Sequence, residues 1–323
     1  MDGQRQKFYL SRSSFEITEL IPWIVGIAVF FLLPDYLALA ARILIFIILV
    51  MSLDLLVGYA GVVSLGHGVF FGVGAYAAGI ASVSFGINDP LVQLLIAAAC
   101  AGVLGLLSGA VVLRGKGLTL IMLTLAVATM VYEAANRATH LTGGADGLTG
   151  IVIAPLLGLF RFDMFGKTAF VYSLVILFLV WLLLRTLCRS PFGASLSGIH
   201  QNPMRMHAIG TPVFRQLLFT YTLAAAIAGI AGALLTQTSS FVGLNTLGFE
   251  LSGEILVMLI LGGVGRLYGA FVGPAVFLVA QDYLAKQFPE NWYLGIGVLL
   301  IVVILYARGG ILGLLDSVTG RKT

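Results

Sequence analysis

The chain has 323 residues, 59% of them hydrophobic and only 10% charged, with a formal net charge of +4. A soluble domain usually carries about 25% charged residues, so this composition excludes a water-soluble globular fold. The basic residues lie mostly in short loops between apolar runs, which excludes a nucleic-acid surface and makes the lipid bilayer the expected surroundings.

Crossing a hydrocarbon core of roughly 30 Å takes about 20 helical residues. In hydrocarbon every backbone polar group needs an internal partner, so each apolar run is predicted to be helical. The runs do not alternate apolar and polar residues, which rejects a β-barrel. The expected fold is all-α: a polytopic transmembrane helical bundle of about ten spans (eight to ten), with broken Gly-rich helices.

Residues 1–19 read as a polar cytoplasmic N-terminal segment without the pattern of a cleaved signal peptide. Residues 20–310 read as one transmembrane domain. Its predicted spans are Leu20–Leu33, Tyr36–Val57, Gly68–Ser84, Leu91–Leu113, Leu118–Ala134, Thr168–Leu187, Gln216–Leu235, Leu251–Val264, Leu267–Leu284 and Trp292–Ala307. Residues 311–323 form a cytoplasmic C-terminal tail. Small residues let membrane helices approach closely, and Gly68–Gly72, Gly105–Gly109 and Gly269–Gly273 have that spacing. Cys100 and Cys188 read as packing residues rather than a disulfide.

Orientation follows from basic clusters at Arg5, Lys7 and Arg12; at Arg114 and Lys116; at Arg185, Arg189, Arg205 and Arg215; and at Arg308, Arg321 and Lys322. An even number of spans separates them, so all face the cytoplasm, as do both termini. Arg137, Arg161 and Lys167 are the exception, in a long outer loop.

Residues 58–74, GYAGVVSLGHGVFFGVG, place Ser64 and His67 between two short apolar pieces. This is either a broken helix beside a translocation path or a Gly-rich loop at the cytoplasmic end of the second span. Ser64, His67, Thr124 and Glu254 are the candidate path residues. Residues 139–150, THLTGGADGLTG, read as a turn-rich external loop, with Thr142, Gly143, Gly144 and Asp146 either meeting a partner or only shaping the turn.

Arg42, Asp54, Glu133, Glu254 and Asp282 are intramembrane charges, functional candidates by default. Asp54 and Glu133 lie near predicted span ends, and Glu254 opens the eighth span, where it suits the helix dipole. The connection 188–215 contains SPFGASLSGIHQNPMRMHAIGTPVFR. Pro191 suits a helix start, and Leu196, Ile199, Met206 and Ile209 suggest an apolar stripe interrupted by Pro203. Such a helix either docks a soluble partner or lies on the membrane surface.

The chain contains no G-x-x-x-x-G-K-[ST], H-E-x-x-H, G-x-S-x-G or C-x-x-C. No ATPase, catalytic apparatus, metal or cofactor is expected.

Four stretches together carry a family resemblance: LVGYAGVVSLGHGVFFGVGAY from Leu56 to Tyr76; LTLIMLTLAVA with LTGGADGLTG between Leu118 and Gly150; the 188–215 connection; and SGEILVMLILGGVGRLYGAFVGP from Ser252 to Pro274. Over residues 36–315 the chain resembles LivM-type permease subunits of ABC importers for branched-chain amino acids. In that connection Gly193, Ile199, Asn202, Arg205, Met206, Ala208 and Gly210 stand at the family's spacing. The resemblance implies an inner-membrane permease paired with a homologous sister permease. It further implies two cytoplasmic ATPase subunits and a periplasmic substrate-binding protein. The 188–215 connection would hold the coupling helix that seats in an ATPase. Relatives importing urea and short amides share these motifs, so the cargo stays open.

Two other function classes make different demands on the sequence. An ion-coupled secondary transporter would use Asp54, Glu133 or Glu254 to bind its ion, and the breaks at 58–67 and 263–269 are loosely comparable. An intramembrane enzyme would need a nucleophile, metal or acid–base pair at membrane depth, and none is visible.

Overall fold

The computed structural model describes residues 21–156, 160 and 166–287, with isolated positions at 294, 295, 297, 301, 310 and 311. The expected terminal segments 1–19 and 311–323 and the tenth span lie outside the described residues, apart from those isolated positions.

The described residues are helical, with two isolated β-bridges. In chain order the helices are α1 (Ile21–Leu32), α2 (Leu37–Asp54), α3 (Gly68–Val83), α4 (Pro90–Val112) and α5 (Leu118–Arg137). Then come α6 (Lys167–Arg189), α7 (Pro191–Gln201), α8 (Pro203–Ala208), α9 (Val213–Ser239), α10 (Phe249–Gly262) and α11 (Gly269–Gln287). A π-helical turn, Leu55–Tyr59, extends α2.

The predicted starts and stops hold to within a few residues, but the elements are unequal in length. Among the described residues five helical runs are long and apolar enough to cross a membrane: Pro34–Tyr59, Pro90–Val112, Leu118–Arg137, Lys167–Arg189 and Val213–Ser239. α1 and α3 are shorter apolar helices of 12 and 16 residues, and α10 has 14. At about 1.5 Å per residue these three reach only about 18–24 Å. Against an expected eight to ten spans, the described residues thus show five helical runs of full crossing length with shorter apolar helices beside them. Breaks inside the bundle shorten α3 and α10, as the spans Gly68–Ser84 and Leu251–Val264 predict.

α2 is the central element. From Leu44 to Leu56 every residue is buried, on all faces of the helix. It packs against α6, α9, α10 and α11. A helix apolar all round belongs inside a bundle, surrounded by other helices. α9 is the second centre and packs on α3 and α4. Its buried Ala224, Ala225, Ala228, Gly229, Ala231 and Gly232 present almost no side chain. A methyl added to Gly232 would strike the Phe71 carbonyl, and one on Gly74 would strike the Gly229 backbone. Such backbone approach replaces the hydrophobic driving force that lipid does not supply.

All three predicted Gly-x-x-x-Gly pairs sit at close approaches. Gly68 and Gly72 meet Ser252 and Leu247, Gly105 and Gly109 meet α9, and Gly269 and Gly273 meet α10 and the residue after it. α1 has no buried residue of its own. It is held by Trp23, whose ring meets Phe178 and Trp181 of α6 and Phe271 of α11. Cys188 is buried, but Cys100 is exposed on α4, which corrects its reading as a packing residue; neither forms a disulfide.

Candidate functional site

Three polar networks organise the region that the sequence marked as broken. The first surrounds residues 60–67, which leave the π turn and enter α3 without regular structure. Side chains from other helices take up their backbone donors. Leu65 N donates to Thr124 Oγ1 of α5 at 3.3 Å, and Gly68 N donates to Ser252 Oγ of α10 at 3.0 Å. Within the segment, Gly66 N donates to Ser64 Oγ at 3.3 Å. Ala60, Val62, Ser64, Gly66 and His67 of this irregular segment are buried in protein, while Gly61 and Val63 are exposed.

His67 is fixed by Ser52 of α2, Oγ to Nε2 at 2.8 Å. The Ser52 hydroxyl already donates to Leu49 O at 2.6 Å, so Nε2–H must be the donor to Ser52. Nδ1 is then the lone-pair nitrogen, and it is buried with no hydrogen-bond partner among the described residues. The ring also meets Phe70 edge-on, and Phe70 meets Tyr221 of α9.

Of the four candidate path residues, the structure therefore brings together Ser64, His67 and Thr124, all buried. Glu254 is half-buried on α10 and shares no hydrogen bond with these three among the described residues. Its expected place at the start of a helix is also corrected. α10 begins at Phe249, and Glu250 is the acidic residue of its first turn. Ser52 and Ser252 belong to the network but were not singled out from the sequence. Ser52 had a faint signal, as a polar residue two before Asp54 in an apolar run. Ser252 had none.

The second network joins the two breaks. Asp54 ends α2, and its Oδ1 accepts from Gly265 N at 2.7 Å, across 211 residues of sequence. Gly265 has φ +78°, a backbone region that favours glycine. A side chain on Gly58 would strike Asp54 Oδ1 and the Gly265 backbone. The breaks that looked loosely comparable in sequence are thus in contact with each other.

The third network is the 188–215 connection, a helical hairpin of α7 and α8. Pro191 starts α7 as expected. Gly193 packs against the Cys188 carbonyl so closely that a side chain would not fit. Leu196 and Ile199 are buried at 1% exposure each, while Ile209 is 74% exposed. The apolar stripe is interrupted at Pro203, as expected: the chain turns at Asn202 and Pro203 opens a second helix. Asn202 caps that helix, with Oδ1 accepting from Arg205 N at 3.0 Å. Met206 packs on Gly198, and Gly210 has φ +87°. Arg205 and Ala208 are exposed. His200 Nδ1 lies 3.0 Å from Gly58 O, and a carbonyl only accepts, so His200 donates. Ser195 Oγ donates to Gln216 Oε1 of α9 at 2.7 Å.

The loop expected to be external is tied by its own hydrogen bonds. Thr142 Oγ1 donates to Ala135 O at 2.7 Å and accepts from Gly144 N at 3.2 Å. Gly143 and Gly144 have φ +75° and +60°. Leu148 and Val242 exchange two backbone bonds, tying the loop to the segment after α9. Asp146 is exposed. Near this loop, α3, α4 and α5 enclose an open-sided cavity of about 530 Å³, lined by apolar side chains with Tyr76, Cys100 and Thr142. None of the four candidate path residues lines it.

The comparisons with known proteins bear on this arrangement. The family described as branched-chain amino acid transport system / permease component matches residues 36–305. The high-affinity branched-chain amino acid transport system permease protein LivM of Salmonella typhimurium is 28% identical over 299 residues, covering 85% of this chain and 69% of that protein. A probable LivM permease of Methanocaldococcus jannaschii is 24% identical over 313 residues, covering 81% of this chain and 88% of the relative. A probable LivH permease of the same organism is 29% identical over 163 residues, covering 47% of this chain and 51% of the relative. No solved structure matches significantly. A match from the start of α2 almost to the end of the apolar region, on a chain whose described residues include five helices long and apolar enough to cross a membrane, identifies a multi-pass membrane protein that belongs to the branched-chain amino acid transport permease family.

Proposed function

We propose that the chain is the membrane-spanning permease subunit of an ATP-binding-cassette importer. It would move branched-chain amino acids, or a related small amino acid or amide, across the bacterial inner membrane. In this reading it pairs with a homologous sister permease, two cytoplasmic ATPases drive it, and a periplasmic binding protein delivers the cargo. Likeness to both LivM and LivH relatives supports a two-permease assembly. Both termini are cytoplasmic, about ten segments cross or enter the bilayer, and residues 20–310 form one domain.

The observation that carries this reading is the α7–α8 hairpin. Its first helix buries Leu196 and Ile199 against the bundle, and its second exposes Met204 (79%) and Ile209 (74%) beside Arg205 and His207. A rigid base with an exposed apolar tip is suited to receive a push from a soluble partner. Gly193, Ile199 and Asn202 hold the base, and Arg205, Met206, Ala208 and Gly210 shape the tip.

The test is transport by the chain reconstituted alone and with its partner subunits. Deleting 195–208 should abolish ATP-driven uptake while the protein still reaches the membrane. Normal ATP-driven uptake by that deletion would refute the docking role. Ion-driven uptake by the isolated chain, without ATP, would instead establish a secondary transporter.

A further inference from the structure

The hairpin is attached to the bundle at one notable place. His200 of α7 donates to Gly58 O, and Gly61 packs against the His200 ring. Gly58 lies in the π turn that begins directly after Asp54. Asp54 Oδ1 in turn accepts from Gly265 N, in the break between α10 and α11. One short path thus links the cytoplasmic hairpin, the end of α2 and the break between two further helices.

The chemistry of this link is unusual for a packing contact. Asp54 is fully buried, and a carboxylate inside a membrane protein is costly to retain. Its Oδ2 has no hydrogen-bond partner among the described residues. A carboxylate placed only for stability would be surrounded by donors, whereas this one holds a single backbone N–H. Gly58 lies so close that a side chain on it would strike Asp54 Oδ1 and the Gly265 backbone, while Gly265 itself holds φ +78°, a region that favours glycine. The contact is therefore tight in shape and held by one polar bond, which suits a joint that opens and closes.

We propose that Asp54 is a positioning residue that ties the two helix breaks together, and that His200 fastens the cytoplasmic hairpin to this tie. Movement imposed on α7 and α8 then reaches α2, α10 and α11 through one joint. The inference rests on the importer reading, and it assigns Asp54 a mechanical task instead of an ion-binding one. The acceptor oxygen is what matters: Gly265 N needs a partner, and an amide oxygen at the same place would serve.

The test uses the native complex purified through a tag on this chain and reconstituted into vesicles. Uptake and ATP hydrolysis are measured together, with the melting temperature as a control for packing. Asp54→Ala should lower the uptake obtained per ATP by about tenfold, the scale of a typical coupling free energy, while hydrolysis continues. Asp54→Asn should restore the ratio to within about twofold, because its Oδ1 still accepts from Gly265 N. His200→Ala lies on the exposed side of the joint, so the protein should fold normally and lose the ratio by about threefold to fivefold. In the double Ala variant the two losses should not multiply, because both act on one path.

A parental ratio in both Ala variants would overturn the proposal. So would loss of uptake, hydrolysis and melting temperature in equal proportion, which marks a packing role. An Asp54→Asn variant as poor as Asp54→Ala would overturn the acceptor role. ATP-independent uptake by the chain alone would overturn the importer reading itself, which separates the two failures.

Discussion

α2 and α5 are both long apolar helices, yet 78% of the most apolar stretch in α2's run is buried, against 11% in α5. Hydropathy measures fitness for lipid and does not report which helices meet each other. What separates them is where small and polar side chains fall. α2 is met on all sides by other helices, and α9, with Ala and Gly at its contacts, lets two helices close onto its backbone. α5 shows Met122, Met130 and Leu118 outward and touches the bundle mainly through the buried Thr124 and Ala128. The cavity beside α5 belongs to the same contrast, since α5 stands away from α3 and α4 over part of its length.

The largest effect should come from filling the close approach in the bundle centre. Gly232→Leu would drive a side chain into the Phe71 carbonyl, with no flexible group to move aside. The expected cost is more than about 3 kcal/mol, seen as failure to accumulate in the membrane. Ala126→Leu on the exposed part of α5 is the matched control and should change the melting temperature by less than about 0.5 kcal/mol equivalent. Equal damage from both would break the comparison.

Next in size is Ser252→Ala, which leaves the buried Gly68 N without its partner. A cost of about 1–3 kcal/mol is expected in the melting temperature of the purified protein, with Ser252→Thr closer to the parent. Thr124→Val removes the longer bond from Leu65 N and should cost only about 1 kcal/mol, because that bond is weaker in geometry. If Thr124→Val proved worse than Ser252→Ala, α5 would be a stronger brace than its burial suggests. The smallest effect belongs to Arg137→Ala, which removes an exposed i,i+4 ion pair with Glu133 at the end of α5. Its melting temperature should match the parent's, since exposed pairs contribute little.

Helix starts and stops were readable in the sequence because they depend on local chemistry. Pro191 and Pro203 open α7 and α8, and Gly58 and Gly265 mark the two breaks. The Gly-x-x-x-Gly pairs identified close contacts correctly, since only small residues permit them. That Pro203 interrupts the 188–215 stripe was readable, but which side of the interruption is buried was not. It depends on the turn at Asn202, which sends Leu196 and Ile199 into the bundle and leaves Ile209 exposed.

Taken alone, the sequence determined that the chain lives in lipid, that it is helical, where its helices break and which family it resembles. Each of these follows from composition or from residues close together in the chain. The tertiary structure decided which breaks meet and which polar groups share a partner. Ser52 reaches His67 and Ser252 reaches Gly68, while Glu254 shares no hydrogen bond with them among the described residues. Asp54 and Gly265 are 211 positions apart, and no local pattern could pair them. Only the packing of α10 and α11 against α2 brings the second break within reach of that carboxylate, because a buried backbone N–H must find an acceptor wherever the fold supplies one.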